Sequence, residues 1–279
     1  MLGALDKMQV KLEQPVQYRL PLGDQIVELN PLLGQSIRLR YTGNIFCVHC
    51  GKATKKSFNQ GYCYPCFIKL AQCDMCIMKP ETCHYAAGTC REPAWGEQFC
   101  MQPHIVYLAN SSGIKVGITR EGQIPTRWID QGAVQALPIF RVPSRHASGL
   151  IEVILARHIS DKTSWQQMLK NQVSPIDLQA ERDRLWALCK TELDELIARL
   201  EGNAIEFLTD QPSVDIRYPV DHYPVKVASF NLDKNPEVSG VLHGIKGQYL
   251  LLDTGVINIR KFTGYEVEFQ GKHASLSSK

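Results

Sequence analysis

Residues 47–66 read CVHCGKATKKSFNQGYCYPC, and the two Cys-x-x-Cys pairs at the ends of this stretch decide how the chain begins to fold. Cys47 and Cys50 make one knuckle and Cys63 and Cys66 the other, with twelve residues between them. That spacing sets four thiolates around one tetrahedral ion, and four sulfur ligands suit zinc. Such a site has a closed coordination sphere, so it holds structure and does not activate water. Gly51 follows the first knuckle, where backbone amides must turn toward sulfur. Random burial of reduced thiols would not repeat the paired spacing twice.

A second group follows at Cys73, Cys76, Cys83, Cys90 and Cys100, with His84 beside Cys83. Six candidates compete for four places. The set chosen for a second zinc is Cys73, Cys76, Cys83 and Cys90, with Cys100 or His84 as substitutes. Iron and sulfur is the rival, because four thiolates also hold a cluster and spacing alone does not separate the two; colour does. Cys189 falls on the apolar side of a helix and is expected in the core.

Nine of the ten cysteines lie between residues 47 and 100. The N-terminus, MLGALDKMQVKLEQ, lacks the basic start, apolar run and small-residue cleavage site of a secretory signal, so a cytoplasmic location is expected. In that reducing compartment clustered cysteines point to metal and not to disulfides. No stretch approaches the roughly 18 unbroken apolar residues of a membrane span, so no membrane partner is expected. The net charge of +3 is uneven: +3 over residues 1–104, +3 over 105–160, −5 over 161–224 and +2 over 225–279. Basic patches of this size are compatible with nucleic acid and are also common on proteins that never touch it.

The 279 residues divide into five segments and an α+β fold. Residues 1–45 alternate apolar and polar in short runs, as in Ile37-Arg38-Leu39-Arg40-Tyr41, and read as a β-rich N-terminal region. Residues 46–103 are the cysteine-rich, zinc-binding region. In 104–170 a strand at Ile105–Asn110, a turn at Ser111-Ser112-Gly113 and a strand at Ile114–Thr119 form a hairpin. Pro125 then starts a helix over Thr126–Gln131, Leu137–Val142 is a third strand, and an amphipathic helix covers Ser148 to Ser160. This segment is expected to be a small mixed sheet with helices. Residues 171–211 carry a long acidic helix, with Ser174 as cap, Pro175 at its first position, an apolar side that includes Leu178, Leu185, Leu188, Leu193 and Leu196, and Gly202 as its end. Its charge suits a protein partner. Residues 212–279 open with a proline-rich linker or laid-down arm and continue as a small curled β-sheet or barrel, with a frayed tail from His273. Gly244 and Gly247 are read as turn glycines of that sheet, and Lys246 between them as a weaker candidate for a phosphate contact.

Val106-Tyr107-Leu108, then Lys115-Val116-Gly117-Ile118-Thr119, a helix carrying Arg127, a strand, and a helix with Glu152 follow one another over about 55 residues. In order, element type and spacing this region resembles the GIY-YIG nuclease superfamily, in the divergent branch whose second motif reads Lys-Ile-Gly. The resemblance implies a divalent-metal-dependent endonuclease. Glu152 would bind one Mg²⁺ or Mn²⁺, Arg127 would contact the phosphate, and Tyr107 would help position or deprotonate the nucleophile. Lys115 stands where the family has its second tyrosine, and would act as a phosphate contact or a base. Lys115, Gly117, Thr119, Arg120 and Arg127 would line the surface that meets structured DNA or RNA. The chemistry is sound in itself: phosphodiester hydrolysis needs an activated water, positive charge on the non-bridging oxygens and a metal ion. His104, His146 and His158 are further acid or base candidates. A binding module that grips phosphates without cutting, and a zinc-stabilised protein-interaction scaffold, are the alternatives.

Taken with the zinc knuckles and the acidic helix, Lys115-Val-Gly-Ile-Thr119 and Gly240-Val-Leu-His-Gly-Ile-Lys-Gly-Gln-Tyr-Leu250 resemble a bacterial family catalogued as domain of unknown function 2797. That resemblance spans most of the chain and implies the architecture without an activity.

Overall fold

The computed structural model describes residues 1–159, 164–200 and 205–271, and the backbone of residues 276 and 277. In chain order its strands and helices are β1 (Leu2–Ala4), β2 (Gln9–Lys11), β3 (Gln17–Leu22), β4 (Gln25–Glu28), β5 (Ser36–Ile45), α1 (Tyr64–Lys69), α2 (Pro93–Phe99), β6 (His104–Asn110) and β7 (Ile114–Arg120). There follow α3 (Thr126–Asp130), β8 (Gln135–Val142), α4 (Arg145–Ala156), α5 (Trp165–Leu169), α6 (Leu178–Arg199), β9 (Glu206–Phe207) and β10 (Val214–Asp215). The chain closes with β11 (Glu237–Lys246), β12 (Tyr249–Leu252), β13 (Gly255–Asn258), β14 (Tyr265–Gly271) and β15 (Leu276–Ser277). The class is α+β, with three sheets and six α-helices among the described residues.

The two ends of the chain share one sheet. Ile37 and Leu39 of β5 point inward while Arg38 and Arg40 point out, the period of a half-buried strand. On one side β5 pairs with β14, Leu39 opposite Phe269, and on the other with β11, Leu39 opposite Val238. The full order is β1-β14-β5-β11-β12-β13. A second sheet, β15-β4-β3-β2, packs its Tyr18, Leu20 and Leu22 into the same core.

The central sheet, β10-β8-β6-β7 with β9 against β8, is antiparallel in every described pairing where a mixed sheet was expected. β7 and β8 flank β6 on its two sides and each runs opposite to it. Every residue of β6 is buried, because both faces of the sheet are covered. Ile105, Tyr107 and Ala109 face the core shared with the terminal sheets, together with Trp128 and Ile129 of α3. Val106 and Leu108 face the other way, onto Ile151 and Leu155 of α4 and Leu185 and Leu193 of α6. Asp130 at the end of α3 fastens the layers: Lys7 pairs with its carboxylate at 2.5 Å and Gln248 donates to it at 2.8 Å.

Several local expectations are corrected. Asp177, not Ser174, caps α6, accepting from the amides of Gln179 and Ala180. Ile176 instead donates its amide to the Gln135 side chain, which keeps residues 174–176 out of the helix. The buried stripe of α6 runs Leu178, Arg182, Leu185, Cys189, Leu193, Leu196, and Leu188 is 56% exposed because 3.6-residue periodicity turns it away. Gly247, at φ +62°, makes the β11–β12 turn, but Gly244 lies inside β11, where Val220 approaches so closely that a Cβ would meet it at 2.7 Å. Lys246 is fully buried, bonded to Asn171 at 2.8 Å, and offers nothing to a phosphate in solution. The proline-rich stretch after residue 212 lies against the central sheet, with β10 on β8 and the Tyr218 hydroxyl donating to the Ala133 carbonyl at 2.7 Å. The expected helix end at Gly202 lies outside the described residues, as does the tail from His273 apart from β15. No helix among the described residues is long and apolar enough to cross a membrane.

Candidate metal centre and carboxylate–arginine site

The first knuckle begins where β5 ends. The Cys47 carbonyl accepts from the Gly51 amide at 2.8 Å, closing a tight turn that Gly51 completes at φ +70°, a conformation costly for a side-chain-bearing residue. The second knuckle is the entry to α1, with Cys63 at its cap and Pro65 in its first turn. Together they bring the sulfurs of Cys47, Cys50, Cys63 and Cys66 within 4.8 Å of one another. Cys50 and Cys63 sulfurs stand 3.8 Å apart. Zinc–sulfur bonds of about 2.3 Å in a tetrahedron put sulfurs about 3.8 Å apart, so the quartet fits one zinc ion. Burial raises the Cys47 pKa, but the amides of Cys50, Cys63 and His49 and the Cys50 thiol outweigh it and bring the value down to about 6. Cys66 is pushed up, by desolvation first and then by the other three thiols. Four thiolates cannot coexist here without a cation, and a dication is what lets the last proton leave. The turn is anchored on the terminal sheets: Phe46 donates to the Gly264 carbonyl at 2.7 Å and Arg260 to the Gln60 side chain at 2.7 Å.

The second cysteine group is arranged differently. Cys76, Cys83, Cys90 and Cys100 line one cavity, with Ile77 and Trp95 in its wall. Cys73 does not line it; its thiol faces Asn59, Arg91 and Cys47, toward the first site. Cys100, held here as a substitute, takes its place. Burial pushes Cys76 up to about 11, with Asp74 and the Cys83, Cys100 and Cys90 thiols adding to it. Asp74, Cys76 and His84 also converge to within 4.8 Å. In that trio, however, Asp74 already pairs with Arg91 at 2.7 Å, and His84 Nδ1 is hydrogen-bonded to Thr89 at 2.8 Å.

Of the expected nucleic-acid site, the structure places Arg127 at the Tyr107 hydroxyl and within electrostatic range of Glu152, and leaves Arg120 apart. Tyr107 lies opposite Gly117 in the β6–β7 register, and a Cβ at Gly117 would sit 2.6 Å from the tyrosine ring and hydroxyl. The Tyr107 hydroxyl donates to Gln131 at 2.7 Å, and its ring meets Trp128 edge-on at 6.0 Å. Burial pushes its pKa up to about 12; Arg127, within reach of the hydroxyl, opposes the rise, and Glu152 adds to it. Lys115, Gly117 and Thr119 share one face of β7 by strand alternation. Arg120 turns to the other face, where its guanidinium lies 5.0 Å from the centre of the Phe99 ring.

Glu152, on α4, is the most perturbed carboxylate of the group. Burial raises its pKa to about 7; Arg145 opposes this, Glu81 adds to it, and Arg127 opposes it. Two of these neighbours, Glu81 and Arg145, escaped sequence reasoning. Glu81 sits between Cys76 and Cys83, and a loop acid between ligands carries no local signal. Gly149 brings it close: a Cβ there would meet the Glu81 amide nitrogen at 2.7 Å, so this loop lies directly on α4. His104 cannot serve as acid or base near neutrality, because burial draws its pKa down to about 4. His146 is half-buried on α4 and His158 exposed beyond it.

A family model described as "Protein of unknown function (DUF2797)" matches residues 34–267. No curated protein and no solved structure matches the chain.

Proposed function

This chain belongs to the DUF2797 family, and we propose that it acts on phosphodiesters of a structured nucleic acid as a divergent endonuclease of GIY-YIG type. The observation that carries the reading is Arg127 of α3, placed at the Tyr107 hydroxyl of β6 and within electrostatic range of Glu152 on α4, with Glu152 poised near neutrality. Perturbed carboxylates beside arginines are a mark of chemical sites. Glu152 would hold Mg²⁺ or Mn²⁺, and that ion would supply positive charge to the reacting phosphate. Arg127 and Lys115 hold the phosphate. Water attacks phosphorus and gives up a proton to solvent as its P–O bond forms, the bond to the leaving oxygen breaks, and that oxygen takes a proton from solvent. Tyr107, buried and bonded to Gln131, positions Arg127 and does not itself attack.

The same burial of Tyr107 favours a second reading, a module that grips phosphates without cutting them. The two separate experimentally. Full-length protein with Mg²⁺ or Mn²⁺ is expected to nick structured RNA or DNA, with Glu152→Ala and Arg127→Ala each lowering the rate at least about 100-fold. Equal cleavage by both variants would overturn the assignment. Salt-dependent binding that survives Glu152→Ala, with no cleavage by the parent chain, would establish the second reading instead.

A further inference from the structure

Cys76, Cys83, Cys90 and Cys100 come from four separate turns of chain yet line one cavity. The sulfurs of the first quartet close on one another at single-ion distance. Among the described residues the sets of metal-binding side chains that converge to within 4.8 Å are that quartet and the trio of Asp74, Cys76 and His84. The four thiols of the second group form no such set. One zinc ion would require them to converge, whereas a four-iron cluster requires each sulfur to stand apart, since each binds a different iron and the inorganic core fills the middle.

We propose that Cys76, Cys83, Cys90 and Cys100 ligate an iron–sulfur cluster of the four-iron, four-sulfide class, and that Cys73 is not a ligand. The surroundings fit that occupant. Ala71, Ile77 and Trp95 supply an apolar wall, which excludes the water that degrades exposed clusters. A four-iron cluster with four thiolates is an anion, and buried positive charge stands beside it. Arg145 donates its backbone amide to the Cys100 carbonyl at 2.8 Å and its guanidinium to the Ile77 carbonyl at 2.6 Å. Its Nε is buried without a protein partner and is free to donate to a cluster sulfur. The competing trio is already committed: Asp74 is neutralised by Arg91, and a cation there would have to displace it.

The cluster also has a place in the fold. The loop between Cys76 and Cys83 carries Pro80 and Glu81 onto α4 at Gly149, one turn before Glu152. Filling the cavity fixes that loop, and with it the acid that faces Glu152. This part of the inference stands whether or not the site cuts nucleic acid.

The test is anaerobic purification of the full chain, followed by reconstitution with ferrous iron and sulfide under thiol reductant. The protein is expected to be brown, with about four irons and four sulfides in addition to one zinc. Cys76→Ser, Cys83→Ser, Cys90→Ser and Cys100→Ser should each lose at least half of the iron, while Cys73→Ser keeps it all. A colourless protein with two zinc ions, or one that takes up no iron on reconstitution, would overturn the proposal. Because the stoichiometry is read on the parent chain, a serine variant that fails to fold leaves the test intact. Iron lost equally from Cys73→Ser would overturn the ligand set.

Discussion

The two cysteine groups lie within one stretch of 54 residues and use the same side chain, yet the backbone presents their sulfurs differently. Cys47, Cys50, Cys63 and Cys66 converge, and the hydrogen-bonded turn at Gly51 forces them to. Cys76, Cys83, Cys90 and Cys100 line a cavity, with a 3₁₀ turn at Pro80–Thr82 between the first two and α2 between the last two. Thiolate chemistry alone does not choose a cofactor; the distance over which the backbone presents the sulfurs does.

The comparison can be broken most forcefully at the converged site. Cys63→Ser removes one of four ligands from a closed site whose binding energy in comparable small domains reaches about 10 kcal/mol. The expected result is loss of zinc and unfolding of residues 46–70, read by metal content and by hydrogen exchange, while iron is retained. Loss of both metals together would mean that the two regions are one cooperative unit.

Gly149→Ala acts on the other region. Its Cβ would lie 2.6 Å from Pro80 Cβ and 2.7 Å from the Glu81 amide. Overpacking of this kind costs about 1–3 kcal/mol, outweighing the roughly 1 kcal/mol that alanine gains over glycine in a helix. Urea denaturation should show a net loss, and iron content should fall with zinc unchanged.

Glu152 reports on the coupling between that loop and α4. Its folded pKa of about 7 lies above the ordinary value of 4.5, so the folded chain holds the proton more tightly. Stability is therefore greatest on the acid side, declines as pH rises from 4.5 to 7, and carries the full cost above 7. Glu152→Gln should stabilise the protein by on the order of 2 kcal/mol at pH 8 and by little at pH 4.5, measured by denaturant midpoints at the two pH values.

The smallest effect sharpens the first site. Gly51→Ala places a Cβ in open space but at φ +70°, so only backbone strain opposes it. About 1 kcal/mol should be lost, with zinc still bound.

What could be read in the residues follows the range of the interaction. The knuckles, the Ser111–Gly113 hairpin and the strand before α4 rest on neighbours a few positions apart, and they stand where their spacing puts them. The pairing of β5 with β14, and the presence of Cys100 and not Cys73 in the cavity wall, depend on where long loops return, which no local pattern encodes. Leu188 shows the same limit on a smaller scale: it is apolar and lies near the stripe, but one residue's rotation takes it into solvent. In the carboxylate site, Tyr107, Gly117, Arg127 and Glu152 could be picked out from motif order. Glu81 and Arg145 could not, because they reach Glu152 only through the path of the cysteine loop.

The contrast between the two cysteine groups is tested most directly by X-ray absorption at both metal edges on anaerobically purified full-length protein. Zinc is expected to show four sulfur neighbours and no metal nearby, and iron to show sulfur neighbours together with other irons. Zinc in both sites, with no iron–iron scattering, would contradict it.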